Sequence, residues 1–397
     1  MKILVVCQYF YPEQFRINDI CKELVKRGHE VTVLTGLPNY PKGKVYDEYK
    51  RRRNRRECIE GVKIIRCSLV GRGNNPASML FNYIWFAVSA SLITKKIKGD
   101  FDLIYTYQLS PITMVRPAIK LKKEKNIPLV LHCLDLWPIS IATGGVKQKS
   151  ILYKIISQYS KKMYNGADII TCSSLPFKNY FMDELHISEK KGFFYLPSYA
   201  ENDYLSVKTI DNGTFDLLFA GNIGPHLSVE TIVEAANILK DKDYIRFHIV
   251  GDGLSKKQCE GMAHKYGLNN IVFYGQHTVE EMRQYYELAD AFLITMVDNE
   301  VVNSTLPAKV QSYMAAGKPI LGAISGEAER VIKEANCGLC CENCDAVGLA
   351  EIILEASCSQ LMNEWSENAY TYYLKNFNKD RCMDALEEVL KSTLEAK

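Results

Sequence analysis

The chain has 397 residues, of which 47% are hydrophobic and 24% are charged, and its formal net charge is +3. This composition excludes a disordered chain and favours a soluble globular protein, long enough for two domains that each bury a full core. The net charge is too small to indicate nucleic-acid binding by itself.

The N-terminal segment, residues 1–8, has one lysine and a short apolar run before Gln8. This pattern predicts a buried parallel strand rather than a secretion signal with a cleavage site. Thirteen cysteines without such a signal indicate a reducing compartment and free thiols.

Strand-like and helix-like segments alternate through the first 200 residues. Strands are predicted at 2–8, 31–35, 63–68, 103–107, 129–132 and 168–172. Helices are predicted at 17–27, 118–125 and 151–164. This alternation is typical of an α/β fold with a doubly wound, mostly parallel sheet.

The alternation pauses in a polar stretch, 202–214, and then restarts. A strand is predicted at 215–220, a helix at 228–239, and further strands at 245–250, 271–274, 291–295 and 319–323. We therefore predict two Rossmann-like domains, 1–200 and 211–378, with a ligand cleft between the carboxyl ends of their sheets. An amphipathic helix over 380–397 is expected to pack back on the first domain.

The spacing of Cys337, Cys340, Cys341 and Cys344 is compatible with a zinc site. The segment 338–341 also reads as a short strand, which would direct Cys340 and Cys341 to opposite faces. The sequence leaves both interpretations open, and our working hypothesis is chemistry without a metal or cofactor.

The turn after the first strand excludes several nucleotide-binding classes. Residues 8–16 contain no glycine, whereas a dinucleotide-binding Rossmann protein has G-x-G-x-x-G at this place. The chain also lacks a Walker lysine loop and a G-x-S-x-G elbow. Gln14 and Arg16 lie beside a predicted helix start, where they are candidates for contact with an anionic ligand.

Residues 303–320 predict a loop, a capped helix and the start of a strand. Ser304 and Thr305 are good N-cap residues, Pro307 suits the first helical turn, and Gly317 suits the helix end. The N-terminus of a helix attracts phosphate, and Lys309 would add a full positive charge there.

Several short motifs together resemble one family. They are residues 26–33 (KRGHEVTV), 219–224 (FAGNIG), 249–253 (IVGDG), 289–291 (ADA) and 313–319 (YMAAGKP). The chain resembles the retaining, nucleotide-sugar-dependent glycosyltransferases of family 4, which have the GT-B fold, nearly from end to end. Residues 37–41 and 135–138 resemble a bacterial subgroup that builds O-antigen and capsule and includes an N-acetyl-L-fucosamine transferase.

The resemblance implies that the donor nucleotide sugar lies against the second domain. Gly221, Asn222 and Gly224 would approach the diphosphate, and Gly251, Asp252 and Gly253 would line the nucleotide pocket, with Gln276 beside the base. Thr305, Leu306 and Lys309 would hold the phosphates, and our own hypothesis adds Ser304 to this group.

The chain departs from the family where many relatives have two glutamates eight positions apart. Ser304 and Ser312 occupy these positions, and Asn222 and His226 replace the arginine and lysine that many relatives have after the glycine-rich turn. We assign Glu327, at a predicted helix start, as a candidate partner for a ribose or sugar hydroxyl.

A retaining transfer needs positive charge and N–H groups around the leaving diphosphate, and Lys309 is the main candidate. Asp135, just after the strand at 129–132, is expected to position the acceptor or the sugar from the first domain. His132 is a second candidate, although a histidine in a strand is more often a buried, hydrogen-bonded residue.

Residues 50–56 carry six positive charges in seven positions, including Arg51, Arg52, Arg53, Arg55 and Arg56. This cluster is attracted to anionic lipid or a lipid diphosphate, and no aromatic reading motif accompanies it that would indicate nucleic acid. The apolar segment 79–98 is expected to be an interfacial helix, too short and interrupted to span a bilayer, or else a core helix.

These features predict a glycosyltransferase that moves a sugar from a nucleotide sugar, expected to be a UDP-sugar, to a lipid-linked saccharide. It would act in O-antigen or capsule biosynthesis, peripherally bound to the cytoplasmic face of the membrane. Two alternatives are a sugar-nucleotide epimerase of similar fold and a non-catalytic nucleotide-sugar-binding partner of an assembly complex.

Overall fold

The computed structural model describes residues 1–73, 75–142 and 145–395. Contacts divide the chain into two compact units, one of Met1–Leu196 with the segment from Met383 onward, and one of Pro197–Cys382. The long C-terminal helix therefore starts in the second unit and ends in the first.

The first unit contains, in its described residues, an eight-stranded sheet in the order β3-β4-β2-β1-β5-β6-β7-β8. The strands are β1 (Lys2–Val6), β2 (Glu30–Thr35), β3 (Arg56–Ile59), β4 (Val62–Arg66), β5 (Leu103–Gln108), β6 (Leu129–Cys133), β7 (Ile169–Cys172) and β8 (Gly192–Tyr195). All neighbours pair in parallel except β3, which forms an antiparallel hairpin with β4. The sequence analysis missed β3, because Arg56 belongs to the arginine-rich segment and its strand is half exposed.

The helices of the first unit connect these parallel strands. They are α1 (Arg16–Lys26), α2 (Pro76–Ile93), α3 (Arg116–Lys125), α4 (Ile139–Ala142), α5 (Ile151–Gly166) and α6 (Phe177–Asn179). The side chain of Asn75 caps α2 by accepting a hydrogen bond from the Ser78 N–H at 2.8 Å.

Helix α2 continues for 18 residues, so the expectation that this segment is short and interrupted was wrong. Residues Ala77–Lys96 are long and apolar enough to cross a membrane by length and composition, and 39% of that stretch is buried. This is weak evidence for a span, because core helices of soluble proteins pass the same test. Here α2 joins β4 to β5 of one sheet, and Phe86 and Ala90 are fully buried.

The second unit contains, over its described residues, a six-stranded parallel sheet in the order β11-β10-β9-β12-β13-β14. The strands are β9 (Phe215–Ala220), β10 (Ile245–Val250), β11 (Ile271–Gly275), β12 (Ala291–Thr295), β13 (Ile320–Ala323) and β14 (Gly338–Cys341). The helices that follow α6 are α7 (Val229–Ile238), α8 (Lys256–Tyr266), α9 (Met282–Leu288), α10 (Glu300–Asn303), α11 (Ala308–Ala316), α12 (Glu327–Ala335), α13 (Ala346–Ser357), α14 (Met362–Asn376) and α15 (Lys379–Glu395).

The core of the second unit explains why these apolar runs become strands. Leu217, Phe219, Phe247, Ile249 and Leu293 are buried together with the inner faces of α7 and α13. Strands covered on both faces need near-continuous apolar sequence, which is the pattern that the chain shows here. The predicted α/β class with two parallel-sheet domains is confirmed.

Candidate functional site

Three neighbouring strands of the second sheet are joined by close backbone contacts where they end. The Gly221 N–H donates to the Val250 carbonyl at 2.8 Å, and the Gly251 N–H donates to the Gly275 carbonyl at 2.7 Å. Gly251 has φ +145°, and a Cβ atom there would lie 1.8 Å from the Gly221 carbonyl oxygen. Only glycine allows the chain ends of β9 and β10 to approach this closely.

The next residues extend this contact into a turn. The Ile223 N–H donates to the Asp252 carbonyl at 2.8 Å, and the Ser255 N–H donates to the Ile223 carbonyl at 3.0 Å. A Cβ atom on Gly253 would lie 2.3 Å from the Ile223 carbonyl oxygen, and one on Gly224 would lie 2.8 Å from the Asn222 amide nitrogen. Gly221 and Asn222 are exposed at the surface of this turn.

The structure therefore brings together two groups that the sequence analysis selected. They are Gly221, Asn222 and Gly224 after β9, and Gly251, Asp252 and Gly253 after β10. Gln276 follows Gly275 at the end of β11 and lies next to them along the sheet edge. We call these residues the glycine-rich edge.

Lys309 lies beside the glycine-rich edge. A Cβ atom on Gly221 would be 2.3 Å from Nζ of Lys309, and Nζ lies 4.3 Å from the centre of the Phe219 ring. Among the described residues the ammonium has no hydrogen-bond or ion-pair partner. Removal from water disfavours the charged form, so burial lowers the pKa of Lys309 to about 7. A bound anion would supply the missing partner.

A second lysine, which the sequence analysis did not select, lies near the same edge. Lys256 begins α8, and its Nζ would be 3.5 Å from a Cβ atom on Gly275. It is 3.8 Å from the Glu260 carboxylate one helical turn later. The signal in the sequence is its place three residues after Gly253, at the start of a helix.

The prediction that Ser304 and Thr305 cap the lysine-bearing helix was wrong. Helix α11 begins at Ala308, its N-cap is Pro307, and no side chain caps it. The Ser304 hydroxyl donates to the Glu300 carbonyl at 2.7 Å, and the Thr305 hydroxyl donates to the Val301 carbonyl at 2.8 Å. Both hydroxyls close the short helix α10, because serine and threonine side chains readily bond to carbonyls four residues back.

The remaining predicted donor-site residues have different environments. Leu306 is buried, whereas Ser312 lies one turn after Lys309 on α11 and is partly exposed. Glu327 starts α12 and is buried, and its two oxygens accept hydrogen bonds from Arg330 at 2.8 and 2.9 Å. A Cβ atom on Gly326 would lie 2.2 Å from the Asn303 carbonyl oxygen, so this helix start lies beside the end of α10.

In the first unit, Asp135 joins the ends of β5 and β6. Its carboxylate accepts a hydrogen bond from the Ser110 N–H at 2.7 Å, and its carbonyl accepts one from the Gln108 amide at 2.9 Å. Burial raises the pKa of Asp135, while the hydrogen bond with Ser110 opposes that rise. Arg16, the first residue of α1, and Asp135 act in opposite directions on the pKa of the buried Tyr107 hydroxyl, so their charges lie near one point.

His132 lies inside the sheet, on β6. Its Nδ1 is 2.8 Å from the Thr171 hydroxyl, and its ring packs against Tyr105 and Tyr107. Burial lowers the pKa of His132 to about 3, so the ring is neutral near pH 7. Gln14, in contrast, is exposed on the loop before α1.

A buried carboxylate, Glu13, was not predicted from the sequence. It accepts backbone hydrogen bonds from Asn39 at 2.8 Å, Tyr40 at 2.7 Å and Phe10 at 3.3 Å. Burial raises the pKa of Glu13 to about 7. Glu13 ties the loop after β1 to the loop after β2, and the sequence gives only a weak signal of this, a single acidic residue inside an aromatic turn.

The cysteine spacing does not produce a metal site in the part of the chain that the structure describes. No group of three His, Cys, Asp or Glu side chains is arranged to hold an ion there. The Cys341 thiol donates to the Gly322 carbonyl, and the Cys344 thiol lies 3.4 Å from the Ser228 hydroxyl.

Comparison with known families matches both halves of the chain. Residues 15–192 match the family described as Glycosyltransferase Family 4, and residues 201–372 match Glycosyl transferases group 1. The chain is a glycosyltransferase with the GT-B fold. The chain is 26% identical over 342 residues to the colanic acid biosynthesis glycosyl transferase WcaI of Escherichia coli K12, covering 80% of this chain and 82% of WcaI.

Solved structures support the fold of this glycosyltransferase. Sucrose-phosphate synthase from Thermosynechococcus elongatus superposes with a TM-score of 0.78 at 15% identity, over 100% of both chains. Anabaena HepE, solved in complex with UDP, superposes with a TM-score of 0.72 at 17% identity, over 99% of this chain and 100% of HepE.

Proposed function

We propose that this glycosyltransferase transfers a sugar from a UDP-sugar to a polyprenyl-diphosphate-linked saccharide, with retention at the anomeric carbon. The pathway would be the biosynthesis of a bacterial surface polysaccharide such as O-antigen or capsule. The observation that carries the proposal is the ammonium of Lys309, which has no partner among the described residues and lies against Gly221. The name of WcaI and the UDP complex of HepE support it from relatives.

The geometry fits a diphosphate at the glycine-rich edge. Backbone there is exposed at Gly221 and Asn222, so phosphate oxygens can approach without a side chain in between. As the bond between the sugar C1 and the diphosphate oxygen breaks, negative charge grows on that oxygen, and Lys309 is positioned to stabilise it. The acceptor hydroxyl forms the new bond to C1, and its proton passes to the departing diphosphate.

Asp135 is the proposed acceptor-side residue. Its carboxylate is held by the Ser110 N–H at the carboxyl end of two strands, which is where ligands of open α/β sheets bind. Arg16 would contribute positive charge on the same side of the unit.

Donor binding can be tested by calorimetry with a panel of UDP-, GDP- and dTDP-sugars. UDP-N-acetyl-L-fucosamine is the first sugar to test, because residues 135–138 and 37–41 resemble that subgroup. We expect micromolar to millimolar affinity for a UDP-sugar and a loss of about tenfold to a hundredfold in Lys309→Met. Lys257→Met is the matched control, since Lys257 is an exposed lysine of the same unit. If no nucleotide sugar binds the purified chain, the proposal is wrong.

Transfer can be tested with a radiolabelled donor and a bacterial lipid extract. Labelled sugar on lipid supports transfer, and the anomeric configuration of the product, measured by NMR, tests retention. A changed free nucleotide sugar would instead indicate the epimerase, and binding with no turnover would indicate the non-catalytic partner.

We further propose that the protein acts at the cytoplasmic face of the membrane. Arg51, Arg52 and Arg53 are exposed, and Arg51 and Arg53 line a cavity of about 300 Å³ together with Lys50 and Asp47. Such a cluster favours an anionic lipid or lipid diphosphate. Arg55 has a structural task instead, because it donates to the Cys67 carbonyl at 2.9 Å.

A further inference from the structure

Two helices of the first unit leave large apolar side chains in solvent. On α2 these are Leu80, Phe81, Ile84, Trp85 and, near the helix end, Leu92, and on α5 they are Ile151, Leu152 and Ile155. Ile151 is 78% exposed and Ile155 is 62% exposed. Within each helix the spacing of one and four residues places these side chains on one side. We call the seven residues other than Leu92 the docking face.

The topology places both helices of the docking face on the same face of the first sheet. Helix α2 connects β4 to β5, and α5 connects β6 to β7, so both crossovers run in the same direction along the strand order. Since such crossovers are right-handed, both helices lie on one face of the sheet. Both also pack against the short 3-10 turn Ile112–Val115.

Six of the seven docking-face residues lie in the first half of their helix, and Trp85 lies just past the midpoint of α2. Both helices follow the carboxyl end of a parallel strand, so the docking face lies towards the carboxyl edge of the sheet. Asp135 follows β6 at this same edge. A surface that binds the docking face would therefore be close to the proposed acceptor position.

The two segments that carry the docking face contain charged side chains of a single sign. Neither 76–99 nor 136–167 contains an aspartate or glutamate, and both contain several lysines. Lys147, Lys149 and Lys154 are exposed beside the apolar residues of α5. Exposed apolar side chains with lysines beside them on the same helix are complementary to an anionic bilayer, where the lysines meet headgroups and the apolar groups enter the interface.

We propose that the docking face binds an anionic phospholipid bilayer, with the start of α5 inserted beside the start of α2. The inference deepens the proposed function and rests on its lipid-linked acceptor, because a bilayer here would present such an acceptor near Asp135. Helix α5 supplies the most exposed apolar residues, so it carries the sharpest test.

The test is co-sedimentation with phosphatidylcholine vesicles, with and without phosphatidylglycerol, at low and high salt. The wild-type chain should bind the anionic vesicles at low salt. Replacing Ile151, Leu152 and Ile155 by glutamine should reduce the partition coefficient about a hundredfold. Replacing Lys147, Lys149 and Lys154 by glutamine should reduce it by a similar factor, on anionic vesicles only.

Matched controls separate lipid contact from a general effect of surface change. Ile238, Val347 and Leu361 are exposed apolar residues of the second unit, and their triple glutamine variant should bind vesicles within about twofold of wild type. Trp85 provides a second readout, since its fluorescence should shift to the blue on anionic vesicles, and Trp85→Phe should remove that shift.

Three results would overturn the inference. The first is no binding of the wild-type chain to anionic vesicles, and the second is an equal loss of vesicle binding in the control variant. The third is a dimer of the wild-type chain in sedimentation that becomes a monomer in the α5 glutamine variant, which would make the face an interface between two copies. Donor calorimetry without lipid is measured on every variant. If the wild-type chain binds the donor but not the vesicles, only the docking face is refuted. If the wild-type chain binds neither the donor nor the vesicles, the proposed function is refuted as well.

Discussion

The ammonium of Lys309 lies 4.3 Å from the centre of the Phe219 ring, at the end of the strand that leads into Gly221. The ring face offers partial negative charge but does not replace the water that the lysine has lost. The site therefore holds a cation that is destabilised until an anion binds.

The first prediction concerns the pH dependence of donor binding. Burial lowers the pKa of Lys309 to about 7, and a bound diphosphate should raise it. Below pH 7 the ammonium is already charged, whereas above pH 7 binding must take up a proton. Donor affinity should fall by up to about tenfold per pH unit above pH 7.

Calorimetry in buffers of different ionisation enthalpy checks this prediction, because it measures proton uptake directly. Lys309→Arg keeps its charge over this range and should show neither uptake nor pH dependence. A wild-type affinity that is flat from pH 6 to 9 would contradict the low pKa. Lys309→Met should also stabilise the ligand-free protein by about 1 kcal/mol near pH 6, because folding of the wild type at that pH removes a charged ammonium from water, whereas folding of the variant does not.

The second prediction concerns the glycine-rich edge. Gly251→Ala places a Cβ atom 1.8 Å from the Gly221 carbonyl oxygen, so β9 and β10 must separate. We expect a loss of about 2–4 kcal/mol in the free energy of unfolding and weakened donor binding. Gly261→Ala is the control, because Gly261 lies within α8 with nothing within 4 Å of its Cβ position. That change should stabilise the protein by about 0.5–1 kcal/mol, and similar melting curves for the two variants would contradict the close approach.

The third prediction separates the acceptor side from the donor side. Asp135→Asn keeps an oxygen to accept the Ser110 N–H but removes the negative charge. Transfer to the lipid acceptor should fall by about a hundredfold or more, while the Kd for the donor stays within about twofold. An unchanged kcat would show that Asp135 has a structural role only. His132→Gln, which changes a neutral buried ring, should act through stability, seen as a lower Tm.

The fourth prediction concerns the C-terminal helix α15. His29 Nε2 lies 2.5 Å from the Glu387 carboxylate, and Arg27 pairs with Asp384 and Glu387. Burial opposes ionisation of Glu387, but the hydrogen bond with His29 and the charges of His29, Lys391 and Arg27 together outweigh it and lower the pKa of Glu387. Because the pKa of Glu387 is lower in the folded state than in the unfolded state, its ionised form stabilises the protein at pH values above the unfolded-state pKa. This stabilisation is lost as the pH falls through the folded-state pKa.

Glu387→Gln should therefore destabilise the protein by about 1 kcal/mol at pH 7, and the difference should shrink below about pH 4. Urea unfolding at several pH values measures this. Glu388→Gln is a neighbouring control on the same helix, for which we expect no change. A destabilisation by Glu387→Gln that persists unchanged at low pH would argue for packing rather than charge.

Much of the secondary structure could be predicted because it is encoded by neighbouring residues. The strands at 215–220, 245–250 and 291–295 were predicted with the bounds that the structure shows. Each is an apolar run that ends at a glycine or a polar turn, and burial on both faces of a parallel sheet needs that local pattern. The Glu327–Arg330 pair is also local, since residues three apart meet on a helix.

The wrong helix cap was predicted because two helix ends close in sequence offer hydrogen-bond partners to the same side chains. Ser304 and Thr305 were good caps by residue type, yet their hydroxyls bond to the helix before them rather than the helix after. Residue preference cannot rank two helix ends that are four residues apart, because both offer backbone partners.

The sequence by itself determined the alternation of strands and helices in two units, the glycines of the turns, and the resemblance to the family. Only the tertiary structure decided which charges share a site. Lys309 and Gly221 are 88 positions apart, and Glu13 meets Asn39 across a whole α-helix and strand. Such contacts depend on how crossovers stack strands side by side, and burial then sets the pKa values, so neither is readable from neighbouring residues.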